Sequence, residues 1–386
     1  MNVGDSANCI EIESLEELNR HLEGERSLEG LALQGIDLRG PGIELRLTSL
    51  PALGAYFLGC ALSQKAEAHI RRTGGTIFPD FRGLPFNAYR SSLYTVEELM
   101  EGYERGNRDS LRETVDGKIY DYFQSHRSSH QPVPIIPALS FRIHDHAIEN
   151  AVHDLLYPKG AEPLKVVAIM GGHKMARDDD AYIDVARIAY RLTQKGYFVA
   201  SGGGPGAMEA TNLGGYFSSM PEETLETAVM DVAEQPLYQD DHYIEKAYEV
   251  IEQHPKGARS LAIPTWFYGH EPTNLFASHV AKYFANSLRE DGMLALAQYG
   301  VIYAPGSAGT IQEVFMDAAQ NRYESYGVIS PMVFLGTQYW TKTKPVYPLL
   351  KSLAEGREYE RFVTITDDPN EVVRFIQKNP PVWTES

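Results

Sequence analysis

Three glycine-rich stretches carry the residue types from which an anion site is built. The first is Gly171-Gly172-His173-Lys174, where two glycines allow a tight turn and Lys174 adds positive charge. The second is Ser201-Gly202-Gly203-Gly204-Pro205-Gly206-Ala207-Met208-Glu209-Ala210. Its Gly202, Gly204 and Ala207 satisfy the spacing G-x-G-x-x-A of a dinucleotide fingerprint, with Glu222 or Glu223 available as the later acid. The third is Pro305-Gly306-Ser307-Ala308-Gly309-Thr310, followed by Glu313. Small residues ahead of a helix expose backbone N–H groups, which favour a phosphate. A carboxylate beside an anion cradle is costly for simple binding. It suits a reaction in which positive charge develops next to the phosphate.

These stretches fall where strands end and helices begin. Val166 to Met170 is an apolar run, as a strand covered on both faces requires. Asp179 to Lys195 has apolar Tyr182, Val185, Ala189 and Leu192 on one face and stops at Gly196, so it predicts a helix. Further strands are expected at Tyr197 to Ala200, Leu261 to Phe267, Gly300 to Ala304, Met332 to Leu335 and Phe362 to Thr366. A last helix is capped by Asp368 with Pro369 at its first position. Repeated βα units give an α/β fold, a doubly wound, mostly parallel Rossmann-like sheet, over residues 161–386. The glycine loop at 202–206 follows the second strand of that unit rather than the first, which argues for a helix N-terminus facing a phosphate. A Gly-rich packing turn is the alternative.

Residues 1–125 are expected to form a smaller N-terminal α+β domain. Within it Leu28, Leu33 and Leu38 recur every five residues, with Gly30, Gly35 and Gly40 two places behind each. Either a short pentapeptide-like coil over 28–42 or ordinary strands with Gly turns explains this spacing. Thr95-Val-Glu-Glu98 has the form of a capping box, and a helix is expected around Leu111 to Phe123. Pro132, Pro134 and Pro137 mark 126–160 as a linker leading into a helix from about Asp145 to Leu156.

Composition narrows the function classes. The chain has 386 residues, enough for two to three folding units at ~150 each. Thirty-five basic residues against 52 acidic ones give a net charge of −17, which opposes general nucleic-acid binding and anionic membranes. Two cysteines, Cys9 and Cys60, point to a reducing, cytoplasmic setting. No run approaches the ~18 apolar residues of a membrane span. His144 and His146 lie two apart with no third ligand nearby, and Asp178 to Asp180 suit a helix N-terminus, so no metal is expected. No lysine stands out for a Schiff base, and no cofactor is expected.

The second and third glycine motifs carry a resemblance. Pro305-Gly-Ser-Ala-Gly-Thr-Ile-Gln-Glu313 resembles the P-G-G-x-G-T-x-x-E signature of the LOG family, long misnamed lysine decarboxylase-like. Gly202 to Asn212 is similar to the family's other glycine motif. Glu271-Pro-Thr-Asn274 is similar to the E-P-x-N segment of the longer bacterial nucleotide 5′-monophosphate nucleosidases of the same superfamily. The resemblance covers Lys165 to Leu350. It implies an N-glycosidase that cuts nucleoside 5′-monophosphates to base and ribose 5-phosphate, acting as a homodimer or larger homo-oligomer.

By resemblance the catalytic pair is Glu313 and Arg289, with Met293 four residues after the arginine. Glu290 stands where the family has Lys, Ser307 where it has Gly, and Gln312 where many members have a second Glu. Arg259 and Arg322 are the alternatives to Arg289. Gly306, Ser307, Ala308, Gly309 and Thr310 are expected to hold the phosphate. Gly171, Gly172, Gly202, Gly203, Gly204, Gly206, Met208 and Glu209 complete the substrate-binding set. In Trp266 to Asn274, Phe267 or Tyr268 is expected to stack on the base while His270, Glu271 or Asn274 reads its edge. The competing functions are a non-catalytic nucleotide sensor and an NAD(P)-dependent oxidoreductase.

Overall fold

The computed structural model describes residues 9–127, 131–269 and 273–384. The chain divides into two compact units, one of residues 1–93 with 126–152 and the other of 94–125 with 153–386.

The smaller unit alternates strand and helix: β1 (Ile10–Ile12), α1 (Leu15–Gly24), β2 (Leu31–Gln34), α2 (Pro41–Ser49), β3 (Tyr56–Leu58), α3 (Gln64–Arg72) and β4 (Thr76–Phe78). The four strands lie side by side in chain order and all run parallel. Ile12, Leu33 and Phe57 share one row of the sheet and are buried together with Leu18, Leu22, Leu47 and Ile70 from the helices. This is α/β alternation rather than the expected α+β arrangement. It is not a pentapeptide-like coil either. Leu28, Leu33 and Leu38 are all buried, but they lie before, within and after one strand. The true repeat is strand plus helix, with strands starting 21, 25 and 20 residues apart. Each such unit buries its apolar face only against its neighbours.

Two helices, α4 (Val96–Met100) and α5 (Val115–His126), follow. Thr95 Oγ1 accepts from the Glu98 N–H, the cap its sequence specifies. The sequence groups these residues with the N-terminal part; the structure packs them into the larger unit. Tyr94 and Val280 exchange both backbone hydrogen bonds, and Asp116 pairs with Lys282. Helix α6 (Ile135–Leu156) starts ten residues before the expected Asp145. Pro137 falls in its first turn, where a missing N–H costs nothing.

In the larger unit β5 (Lys165–Met170), α7 (Asp180–Gln194), β6 (Tyr197–Ser201), α8 (Ala207–Phe217), α9 (Glu222–Ala233) and α10 (Tyr243–Gln253) come first. There follow β7 (Leu261–Ala262), β8 (His279–Val280), α11 (Asn286–Leu296), β9 (Val301–Tyr303) and α12 (Ala308–Tyr323). The chain ends with β10 (Val328–Ile329), β11 (Met332–Leu335), α13 (Val346–Ala354), β12 (Val363–Thr366), α14 (Pro369–Lys378) and β13 (Val382–Trp383).

Seven of these strands form one parallel sheet in the order β12-β11-β9-β5-β6-β7-β8, a doubly wound, Rossmann-like arrangement with β10 and β13 paired separately. Five of the six β5 residues are buried, which accounts for the apolar run. The strand expected over 261–267 is cut to two residues because Pro264 has no N–H to continue the ladder, which resumes as a single bridge between Thr265 and Tyr283. No described helix is long and apolar enough to cross a membrane.

From β5 the chain moves outward through β6, β7 and β8, then returns to the other side of β5 at β9. The connections that follow β5 and β9 therefore lead to opposite sides of this point in the sheet order. Such a reversal opens a crevice at the carboxyl end of the sheet.

Candidate functional site

The crevice is a cavity of about 880 Å³. Its two defining loops are tied together: the Gly172 N–H donates to Pro305 O at 3.0 Å, and the Ala304 N–H to Met170 O at 2.8 Å. Pro305 stops β9, and α12 opens at Ala308. Gly306, Ser307, Ala308, Gly309 and Thr310 all line the cavity. No described residue accepts from their five backbone N–H groups. First-turn donors left open at a helix N-terminus create a positive end suited to phosphate. The Tyr339 hydroxyl donates to Gly306 O and fixes the loop, a contact without a local sequence signal.

Glu313 lies one turn into α12, on the cavity wall and only 7% exposed. Burial raises its pKa; the Arg289 guanidinium pulls it back down and the neighbouring Glu290 carboxylate pushes it up. Arg289 comes from α11. Its Nε donates to Ile263 O at 2.9 Å, and its Nη1 lies 3.4 Å from Glu313 Oε1. The structure thus brings together the two side chains that resemblance paired across 24 residues. Arg259 and Arg322 lie elsewhere, over the rings of Phe198 and Tyr323, and neither lines the cavity.

The second glycine loop divides between the cavity and packing. Gly202, Gly203, Gly204 and Met208 line the cavity, as do Gly171 and Gly172. However, a Cβ on Gly202 would sit 2.4 Å from Arg289 Nη2, so this glycine makes room for the guanidinium. The Gly203 N–H is spent on Ser201 Oγ. Gly206 is off the cavity. It has φ +70°, and a Cβ there would meet the Gly172 carbonyl oxygen at 2.5 Å, so it is a packing turn.

Two further expectations are corrected. Glu209 does not face the cavity. It is buried, accepting from Arg177 Nε (2.8 Å) and Nη2 (2.6 Å) and from the hydroxyls of Tyr182 and Tyr243 (2.8 Å each). A desolvated carboxylate at this depth is stable only with such partners. Asn274 is also interior, donating to Asn212 Oδ1 (2.9 Å) and Met208 O (3.3 Å) and accepting from the Phe276 N–H (3.1 Å). It braces the wall rather than forming it. His270 and Glu271 lie outside the described residues. Of the aromatic pair, Tyr268 lines the cavity and Phe267 does not.

Other wall residues carry no motif. Lys282 and Trp266 face the cavity and are held from behind by Asp116, whose Oδ1 is 2.7 Å from Lys282 Nζ and 2.8 Å from the Trp266 indole nitrogen. Tyr120 reaches the same wall from α5. Glu290, Gln312 and Tyr268 form a hydrogen-bonded polar stretch of the wall. In sum, the cavity offers open amides for an anion, and beside them a buried carboxylate steadied by one guanidinium.

No protein-family model matches the chain, and no curated protein matches it. Among solved structures it is similar to the molybdenum cofactor binding protein from the phototrophic bacterium Rippkaea orientalis, at 12% identity and a TM-score of 0.36, over 56% of this chain and 98% of that one. It is also similar to the molybdenum cofactor carrier protein from Chlamydomonas reinhardtii, at 14% identity and a TM-score of 0.35, over 56% and 97%.

Proposed function

We propose that this protein hydrolyses the N-glycosidic bond of nucleoside 5′-monophosphates, releasing the base and ribose 5-phosphate. The observation that carries this reading is the Arg289–Glu313 contact set beside the open amides of Gly306 to Thr310. Cleavage at a ribose passes through an oxocarbenium-like state, so the sugar gains positive charge as the C1′–N bond breaks. A fixed carboxylate in a poorly solvated wall stabilises that charge more than water does. In this mechanism the 5′-phosphate sits on the α12 N-terminus, and its binding energy holds the anomeric carbon near Glu313. Ionised Glu313 orients a water for attack at C1′ and takes its proton as the C1′–N bond breaks, and the departing base takes up a proton from solvent. Arg289 opposes the upward pull of burial on the Glu313 pKa and sets the direction of the carboxylate.

The test is incubation with AMP, GMP, IMP, CMP and UMP, followed by chromatography for free base and a reducing-sugar assay for ribose 5-phosphate. Base and sugar phosphate in equal amounts support the proposal. Release of nucleoside and inorganic phosphate would overturn it, and so would nucleotide binding without any product, which would make the protein a nucleotide sensor.

A further inference from the structure

Beside the first turn of α12, the cavity wall carries a polar patch rich in acceptors. Glu290 is its centre, 6% exposed and on the wall. Gln312 Nε2 donates to Glu290 Oε2 at 2.8 Å. The reverse amide orientation would set a carbonyl against a carboxylate, so the orientation is fixed, and the free end of Gln312 is its oxygen. The Tyr268 hydroxyl gives its single proton toward Glu290 Oε1 at 3.4 Å, while its oxygen accepts from Asn286 Nδ2 at 3.0 Å. Asn286 stands behind the wall rather than on it, with its Oδ1 buried. Arg289, the adjacent cation, directs its Nε to Ile263 O and its Nη1 to Glu313. What the wall turns toward a ligand at Glu290 and Gln312 is a row of acceptors, the carboxylate oxygens and the amide oxygen.

A ligand meeting this row must bring adjacent donors. Among nucleobases only guanine sets a ring N–H and an exocyclic amino group side by side on one edge. Adenine and cytosine place a ring acceptor beside the amino group, which the Glu290 carboxylate would repel. Uracil and hypoxanthine offer one N–H next to a carbonyl. We propose that Glu290, supported by Gln312 and Tyr268, selects guanine, so that the substrate class is the guanosine 5′-monophosphate type. The inference rests on the reading of the cavity as a nucleotide site. Hypoxanthine is the sharpest comparison, since IMP differs from GMP only in lacking the 2-amino group.

The experiment measures kcat/KM for GMP and IMP with the full chain and with Glu290→Gln, and by calorimetry the affinity of Glu313→Gln for both nucleotides. The expected result is a GMP preference of about 10- to 100-fold, the usual cost of leaving a charged acceptor without its donor. Glu290→Gln should bring the ratio close to one. A merely structural role for Glu290 would lower both rates and leave the ratio unchanged, which would overturn the inference. Equal or faster cleavage of IMP would also overturn it, while leaving the hydrolytic function intact. Selective binding of GMP without cleavage of either nucleotide would support guanine recognition and remove the hydrolytic function. Binding of neither would remove both.

Discussion

At the scale of single residues, the proposed reaction depends on Glu313, a carboxylate whose charge burial disfavours and Arg289 favours. Glu313→Gln removes the charge and keeps the shape, so cleavage should fall by about 10³-fold or more, with nucleotide affinity changed only a few-fold. Calorimetry beside turnover assays checks this; equal loss of both would make the role structural. The pH profile follows from the neighbours. Glu313 acts ionised, and its pKa is raised, so the acid limb of kcat/KM should lie above the ordinary carboxylate range. Arg289→Ala removes the group that lowers this pKa and should move the limb to higher pH; Glu290→Gln removes a group that raises it and should move the limb down. Asp317, one turn further along α12 and fully buried, is pushed up to about 7 by burial, with the Tyr303 hydroxyl opposing. The folded state therefore holds this proton more tightly than the unfolded chain, and stability falls as pH rises from about 4 through 7. Once both states are ionised the loss approaches about 4 kcal/mol. Urea denaturation at pH 5 and pH 8 should show this slope in the native chain and a much flatter one in Asp317→Asn.

At the scale of elements, the two glycine loops show one residue type serving two physical ends. A Cβ at position 202 would press on the tips of flexible side chains, Arg289 Nη2 and Met208 Sδ at 2.7 Å. Gly202→Ala should therefore fold normally and lose activity about 10-fold or more, because the guanidinium that steadies Glu313 is displaced. A Cβ at position 206 meets backbone in a left-handed conformation. Gly206→Ala should cost about 2 kcal/mol or more of stability, seen as a lowered Tm. Finding the reverse pattern would show that the loop at 202–206, not Arg289, is the part that meets substrate. Strand lengths follow the same logic of backbone donors: Pro264 ends β7 and hands the chain to the wall segment carrying Thr265, Trp266 and Tyr268.

At the scale of the whole molecule, the larger unit is discontinuous in sequence, since residues 94–125 supply Asp116 and Tyr120 to it. Asp116→Ala would leave the Lys282 ammonium buried without its counter-charge, and a loss of about 3–5 kcal/mol is expected in chemical denaturation. A fragment beginning at Ala161 should be less stable than the full chain for the same reason. The sequence by itself determined the parallel βα core, because a strand covered on both faces must be apolar throughout and a helix opening must carry small or capping residues. Both are local properties of backbone geometry. It also marked the Gly306 to Glu313 turn for the same local reason. Tertiary structure alone decided that Glu209 belongs to Arg177, that Asp116 belongs to Lys282 across 166 residues, and that Gly202 exists to admit Arg289. It also decided that the five-residue leucine spacing belongs to a longer strand–helix repeat. Those pairings are set by which charges must find partners once burial removes water, and nothing in local spacing records where along the chain a partner will come from.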